Sequence, residues 1–195
     1  LFRYHFQPII NAHTGQIVAY ETLMRTDKSI GLGPLQLLEI ARKYDRLYDI
    51  EKATMTNAFS FLSEHQEEMA GKKLYINSIP GHLLSNEDFY KLVDKYGDIM
   101  KNSVIEFTEQ TEVLRYNPSV VKIDRSLIEG IEGNQKKMNI VGNIIDFLHN
   151  NGYLALAEGV ETLDEMEIMI GLGSDLIQGF YVGRPKAELT QFIDP

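Results

Sequence analysis

Short apolar runs rich in Val, Ile, Tyr and Phe alternate along this chain with longer stretches of helical period. The runs that read as strands are Tyr4–Asn11, Ile17–Arg25, Lys73–Ile79, Val104–Glu109, Val120–Asp124, Tyr153–Val160 and Asp175–Val182. Several are too apolar to be half-exposed, which fits strands covered on both faces in a mainly parallel sheet. The first two are joined by Ala12–Gln16, a short Gly-containing link, and read as a hairpin. Helices are expected at Leu35–Tyr44, with Leu37, Leu38 and Ala41 on one face, and at Ile50–Glu64. Ser85 opens another, with Asp88 placed for a capping box. Met138–Asn150, Asp164–Ile170 and a short helix from Lys186 complete the set. No linker or low-complexity tract divides the chain, so residues 1–195 read as a single α/β domain.

One connection is too short for this scheme. Val104–Glu109 and Val120–Asp124 both read as interior parallel strands, and Gln110–Ser119 is all that joins them. Parallel neighbours need a crossover of about a dozen residues or more, usually a helix. Either the second strand runs antiparallel or a βα unit is missing there.

Polar residues stand near the C-terminal ends of these otherwise apolar runs. Glu21 follows Ile-Val-Ala-Tyr, Asn77 follows Leu-Tyr-Ile, and Glu106 follows Val-Ile. Lys122 and Asp124 share a face, Glu158 and Glu161 follow Leu-Ala-Leu-Ala, and Gln178 follows Asp-Leu-Ile. Singly, each has a plain reading: a loop glutamate, an asparagine satisfying a turn, an ordinary Lys122–Asp124 ion pair. Together they are harder to dismiss, because uncompensated buried charge costs several kcal/mol. In a closed β/α barrel the C-terminal strand ends meet at one mouth, where active sites sit. Oxygen donors without thiolate or paired histidine select hard cations such as Mg²⁺ or Mn²⁺.

Composition narrows the chemistry. The 195 residues include no cysteine, which removes disulfides, thiolate zinc and cysteine nucleophiles. A net charge of −9 argues against a nucleic-acid-binding face, but not against a small phosphate ligand held through metal ions. No apolar run reaches membrane-span length and no signal peptide opens the chain. The first residue is Leu1 rather than Met, so the chain is expected to be a piece of a longer protein. P-loop, nucleophile-elbow and dinucleotide-binding glycine motifs are missing.

Seven segments resemble, in order, the motifs of EAL domains, the bacterial cyclic-di-GMP phosphodiesterases. They are Gln7-Pro8-Ile9, Tyr20-Glu21-Thr22-Leu23-Met24-Arg25, Ile76-Asn77-Ser78, Ile105-Glu106-Phe107-Thr108-Glu109, Val121-Lys122-Ile123-Asp124-Arg125-Ser126, Ala157-Glu158-Gly159-Val160-Glu161-Thr162 and Gln178-Gly179-Phe180-Tyr181-Val182-Gly183-Arg184-Pro185. The resemblance implies a TIM-like (β/α)8 barrel with an antiparallel first strand. It also implies hydrolysis of cyclic di-GMP to linear pGpG with two Mg²⁺ or Mn²⁺ ions. By the same resemblance Glu21, Asn77 and Glu106 are metal ligands, Lys122 orients the attacking water, and Glu158 is the general base. Gln7 and Arg25 match substrate contacts. Glu109 matches a residue anchoring the loop that governs metal binding and dimerisation, Asp124 and Glu161 match supporting positions around the active site, and Gln178 matches an active-site position expected to bind substrate. A homodimer, fusion to sensory or GGDEF-type domains, and a cytoplasmic location are expected. The full protein could still be anchored at a membrane through another domain; neither nucleic acid nor direct membrane contact is expected of this one.

Two departures stand out. The signature triplet is Glu21-Thr22-Leu23 rather than Glu-Ala-Leu, a modest change because the glutamate is kept. The family's Asp-Asp-Phe-Gly motif is missing, and its place falls near Val113–Leu114, inside the connection that is too short. Either the natural protein carries a βα unit between about 113 and 114 that this chain is without, or the protein is a catalytically inactive cyclic-di-GMP receptor or scaffold. A third reading, an unrelated barrel enzyme with Lys122 as Schiff-base nucleophile, would need a carbonyl substrate.

Overall fold

A computed structural model of the chain describes residues 2–106 and 119–193. These group into two compact units, the first drawn from residues 1–6 and 20–112 and the second from residues 7–19 and 113–195. Seven strands occur among the described residues: β1 (Phe2–Asn11), β2 (Ile17–Thr26), β3 (Lys73–Asn77), β4 (Ser103–Glu106), β5 (Val120–Ile123), β6 (Leu154–Glu158) and β7 (Leu176–Gln178). The longer helices of the first unit are α1 (Pro34–Lys43), α2 (Leu47–Glu64) and α3 (Asn86–Tyr96). Those of the second are α4 (Arg125–Ile128), α5 (Gln135–Asn150) and α6 (Leu163–Gly171). None of the described helices is long and apolar enough to cross a membrane.

In the first unit the strand order is β4-β3-β2-β1. β3 and β4 run parallel, with Tyr75 opposite Val104 and Asn77 opposite Glu106. Helix α2 packs against β3 and α3. Its buried positions, Leu47, Ile50, Glu51, Thr54, Met55, Ala58, Phe59 and Leu62, recur every three or four residues, as one helical stripe must. Ala41, Leu47 and Ile50 form a small cluster that Leu37 and Leu38 complete, so α1 presents the face its sequence pattern predicts.

In the second unit the order is β2-β1-β7-β6-β5. β5, β6 and β7 are parallel, whereas β1 pairs antiparallel with β7, Ile9 lying opposite Gln178. The antiparallel first strand is therefore present. Its hairpin to β2 closes through Asn11, whose N–H donates to the Gln16 carbonyl at 2.9 Å and whose side chain accepts from the His13 and Thr14 amides. Ile10, Ile123, Ala155, Ala157 and Ile177 alternate to one face and bury against Val141, Ile145 and Leu148 of α5 and Met169 of α6.

Several boundaries differ from the sequence reading. β3 stops at Asn77 because Ser78 and Ile79 turn their side-chain hydroxyl and backbone N–H to the Glu51 carboxylate. β7 stops at Gln178 because the Gly179 carbonyl accepts from Val182 and Gly183 in a turn. The helix expected from Lys186 does not form: Lys186 takes an isolated bridge, and so short a polar run lacks the packing that offsets helix nucleation. Ser85 caps α3 by accepting from the Asp88 amide at 3.2 Å. The reciprocal half of the capping box is absent, since the Asp88 carboxylate accepts from Tyr48 and Lys52 instead. The expected strand residues Phe107–Glu109, and the short connection with its 113–114 junction, lie outside the described residues.

Gly179 tests this packing. A Cβ there would lie 1.9 Å from the Val160 carbonyl oxygen, which is backbone and cannot yield as a flexible side chain would. Gly179→Ala should destabilise the protein by about 3 kcal/mol or more. Urea denaturation followed by circular dichroism measures it, and a loss under about 1 kcal/mol would contradict the close approach.

Candidate functional site

The alternation that buries one face of each strand leaves the other face for polar residues. In the first unit that face carries Glu21 midway along β2, with Asn77 and Glu106 at the last positions of β3 and β4. Parallel register sets Asn77 beside Glu106. The Asn77 Nδ2 donates to Glu21 Oε1 at 2.7 Å, so β2 and β3 meet through these two side chains. Glu21 is 4% exposed, which makes its carboxylate a placed group rather than a loop ornament. Three of the sequence candidates are thus brought together, on adjacent strands of one unit.

Arg25, two alternations further along β2, donates from Nη1 to the Met24 carbonyl at 2.9 Å. It lines a pocket of about 480 Å³ together with Asn77, Thr22, Tyr4 and Arg42. Two guanidinium groups in a mostly apolar pocket suit a ligand that carries both negative charge and flat or apolar surface.

In the second unit the polar face holds Gln7, Gln178, Glu158 and Lys122. Glu158 lies opposite Gln178 in the β6–β7 register. Lys122 Nζ stands 3.7 Å from Glu158 Oε2, so the partner of Lys122 shown here is Glu158. Asp124, the alternative partner, accepts from the Ser126 amide at 2.8 Å and caps α4. Those hydrogen bonds hold its carboxyl below the usual aspartate range. Gln7 and Gln178 are buried, and their amides are engaged inside the protein. Gln178 Nε2 donates to Gln7 Oε1 at 3.3 Å, and Gln7 Nε2 donates to the Gly183 carbonyl at 3.1 Å. Gln7 therefore ties β1 to the segment after β7.

Glu161 pairs with Arg125, and its backbone N–H donates to Glu165, which forms a capping box with Thr162 at the start of α6. The stem of Arg125 lies under Gly159, where a Cβ would come within 2.8 Å of it. Arg125 thus supports the turn that follows Glu158. Glu109 lies outside the described residues. Among the described residues, no group of three or more His, Asp or Glu side chains stands in position to hold a metal ion.

One residue escapes the sequence reading. Glu51 on α2 is fully buried, its carboxylate accepting from Ser78 Oγ at 2.7 Å and from the Ile79 amide at 2.8 Å. Burial pushes its carboxyl above the usual glutamate range, against the lowering pull of those hydrogen bonds. The signal was available: Glu51 is the one charged position in the buried stripe of α2.

The EAL-domain family profile matches residues 1–115 and 106–185. The chain belongs to the EAL-domain family. The match comes in two segments that overlap at 106–115, the region of the short connection. A cyclic di-GMP phosphodiesterase of Escherichia coli, PdeL, is 34% identical over 65 residues, which is 33% of this chain and 18% of that protein. The cyclic di-GMP phosphodiesterase PA2567 of Pseudomonas aeruginosa is 20% identical over 224 residues, covering 94% of this chain and 38% of that protein. Since 94% of 195 residues is about 183, roughly 40 positions of that alignment face no residue of this chain. The curated relatives are much longer: the match spans only 9% of the first two.

Solved EAL structures share the fold. A standalone EAL protein of Vibrio cholerae in its c-di-GMP-bound form superposes with a TM-score of 0.77 at 22% identity, covering 98% of this chain and 95% of that one. Klebsiella pneumoniae BlrP1 with c-di-GMP and no metal ions gives 0.79 at 24% identity over 98% of this chain and 55% of that one. Its manganese/c-di-GMP complex gives 0.77 at 21% over 95% and 56%.

The Arg125 contact has a measurable consequence. Hydrogen bonding and attraction from Arg125 lower the Glu161 carboxyl from its ordinary 4.5. The pair therefore persists at neutral pH and is lost as pH falls through the depressed value. Arg125→Ala should raise the Glu161 titration midpoint toward 4.5, read by carboxyl-carbon NMR. An unmoved midpoint would show that the guanidinium does not hold this carboxylate.

Proposed function

We propose that this domain hydrolyses one phosphodiester of cyclic di-GMP to the linear dinucleotide pGpG in a metal-dependent reaction. The observation that carries the reading is the meeting of Glu21 and Asn77 at 2.7 Å, with Glu106 beside Asn77 in register. Because Asn77 donates its amide nitrogen to Glu21, its carbonyl oxygen remains as a potential ligand. Two carboxylates and one amide oxygen fit one hard divalent cation, Mg²⁺ or Mn²⁺. The second ion expected of the family needs further carboxylates, and among the described residues no such cluster stands ready. When bound, the metal supplies Lewis-acid stabilisation of the charge that develops on the phosphate oxygens.

The chain's own groups take the other roles. Arg25 meets a phosphate, Lys122 orients the attacking water, and Glu158 accepts its proton. The water oxygen forms the new P–O bond as the bond from phosphorus to the ribose O3′ breaks, and the proton passes to that O3′. Gln7 and Gln178 shape the ligand's side of the second unit, Asp124 and Glu161 hold the α4 and α6 ends, and Glu109 anchors the metal-dependent loop. We place the reaction in one domain spanning 1–195, a (β/α)8 barrel lacking a βα unit between about 113 and 114. In the whole protein it acts in the cytoplasm as a homodimer fused to sensory or GGDEF-type domains.

A second reading has its own support: a receptor that binds cyclic di-GMP without turnover. The divided family match favours it.

Incubation with cyclic di-GMP and Mn²⁺, followed by chromatography, separates the two. The enzyme reading expects Mn²⁺-dependent pGpG, reduced at least 10²-fold in Glu21→Ala, a loss of about 2.7 kcal/mol in transition-state stabilisation. Tight binding with no pGpG assigns the receptor role, and neither binding nor turnover overturns both.

A further inference from the structure

Glu51 sits behind the candidate metal ligands, in the same unit, on a helix that packs against β3. Its two carboxylate oxygens are used separately, one by the Ser78 hydroxyl and one by the Ile79 N–H. Ser78 directly follows Asn77, and its own backbone N–H donates to the Glu106 carbonyl at 3.0 Å. One buried carboxylate thus clamps a residue that is both covalently attached to Asn77 and hydrogen-bonded to Glu106. A carboxylate buried in an otherwise uncharged helical stripe is costly, and a hydrophobic residue would pack α2 at less expense. Its position is explained by what it holds.

We infer that Glu51 is a positioning residue, fixing through Ser78 and Ile79 the direction in which Asn77 and Glu106 present their side chains. The inference rests on the metal-dependent reading for its consequence, but not for its geometry. Without the clamp, the segment after β3 keeps its backbone pairing to Glu106 and loses the two contacts that stop it from rotating. Asn77 then no longer holds its amide nitrogen against Glu21.

Substitutions separate this role from general packing. Glu51→Ala removes both contacts. Glu51→Gln can keep both, its carbonyl accepting from Ile79 N–H and its amide donating to the Ser78 hydroxyl. In metal-free protein, the Asn77 side-chain amide resonance, assigned with Asn77→Ala, should shift in Glu51→Ala and stay near the wild-type position in Glu51→Gln. An unmoved resonance in Glu51→Ala overturns the inference, whatever the metal affinity. If Glu51→Ala does not fold, Ser78→Ala takes its place with the same readout, because it deletes one contact and leaves α2 intact.

Mn²⁺ binding followed by electron paramagnetic resonance gives the consequence. Glu51→Ala should weaken it at least tenfold, Glu51→Gln should lie within about twofold of wild type, and in an Asn77→Ala background Glu51→Ala should add less than twofold. Equal loss in the alanine and glutamine variants, or an undiminished loss without Asn77, overturns the positioning role. Wild-type protein that binds no Mn²⁺ defeats the metal-dependent reading instead, and the Asn77 resonance still decides the inference.

Discussion

Each strand of this protein has to serve two environments, and its two-residue period decides which side chain meets which. In the second unit Ile123, Ala155, Ala157 and Ile177 fill one face and are pressed against α5 and α6. Once those positions are committed, the intervening ones cannot reach the helices. Lys122, Glu158 and Gln178 fall on the opposite face, Glu158 opposite Gln178 in the parallel register and Lys122 opposite Leu156, two residues before Glu158. A slip of one residue would bury a lysine and a glutamate in the core and expose its isoleucines, which makes the register costly to change. The same rule, with Leu74 and Ile76 buried to one side, sets Asn77 beside Glu106 in the first unit. The chemistry of the site is thus a by-product of how tightly the other face is packed.

That coupling explains which residues the sequence discloses. A polar residue at the end of an apolar run violates the pattern, so Glu21, Asn77, Glu106, Lys122 and Glu158 are visible without coordinates. Asp124 is equally visible, but its partner is not. Its spacing from Lys122 suggests an ion pair, and the sequence shows no sign that it accepts from the Ser126 amide at 2.8 Å. Gln7 shows the same gap: only the resemblance of Gln7-Pro8-Ile9 to a family motif marks it, and only the fold reveals that its amide is engaged with Gly183 and Gln178. Helices conceal more. Glu51 breaks the apolar stripe of α2, but a helix rich in polar residues makes one glutamate unremarkable until its stripe is indexed against burial. Element ends were the least legible because side chains distant in sequence decide them. β3 ends where Glu51, 27 and 28 residues earlier in the chain, withdraws Ser78 and Ile79 from the strand.

The short connection after β4 has a physical meaning that composition alone cannot supply. As parallel neighbours, which the sequence alone suggests, the flanking strands would need a crossover that ten residues containing Pro118 do not provide; in the strand order β4 and β5 are not adjacent. The family match, found without reference to geometry, divides across the same stretch, 106–115. The alignment reaching 94% of the chain leaves roughly 40 positions of its relative unmatched and does not say where they fall. The divided match agrees with the missing βα unit proposed above.

What such a unit would contribute is set by charge. Glu21 and Glu106 with Asn77 carry two negative charges, enough to neutralise one divalent cation and no more. Holding two divalent cations a few ångströms apart requires additional carboxylates to offset their mutual repulsion. Lys122 and Glu158 do not supply them, since their charges oppose each other at 3.7 Å. A dianionic dinucleotide can still be attracted with fewer metals, because Arg25 and Arg42 already line the pocket next to Asn77. Binding and turnover therefore make different demands on this chain. On the proposed reading, Arg25 and Arg42 serve the first, while a two-metal version of the second needs carboxylates beyond Glu21 and Glu106.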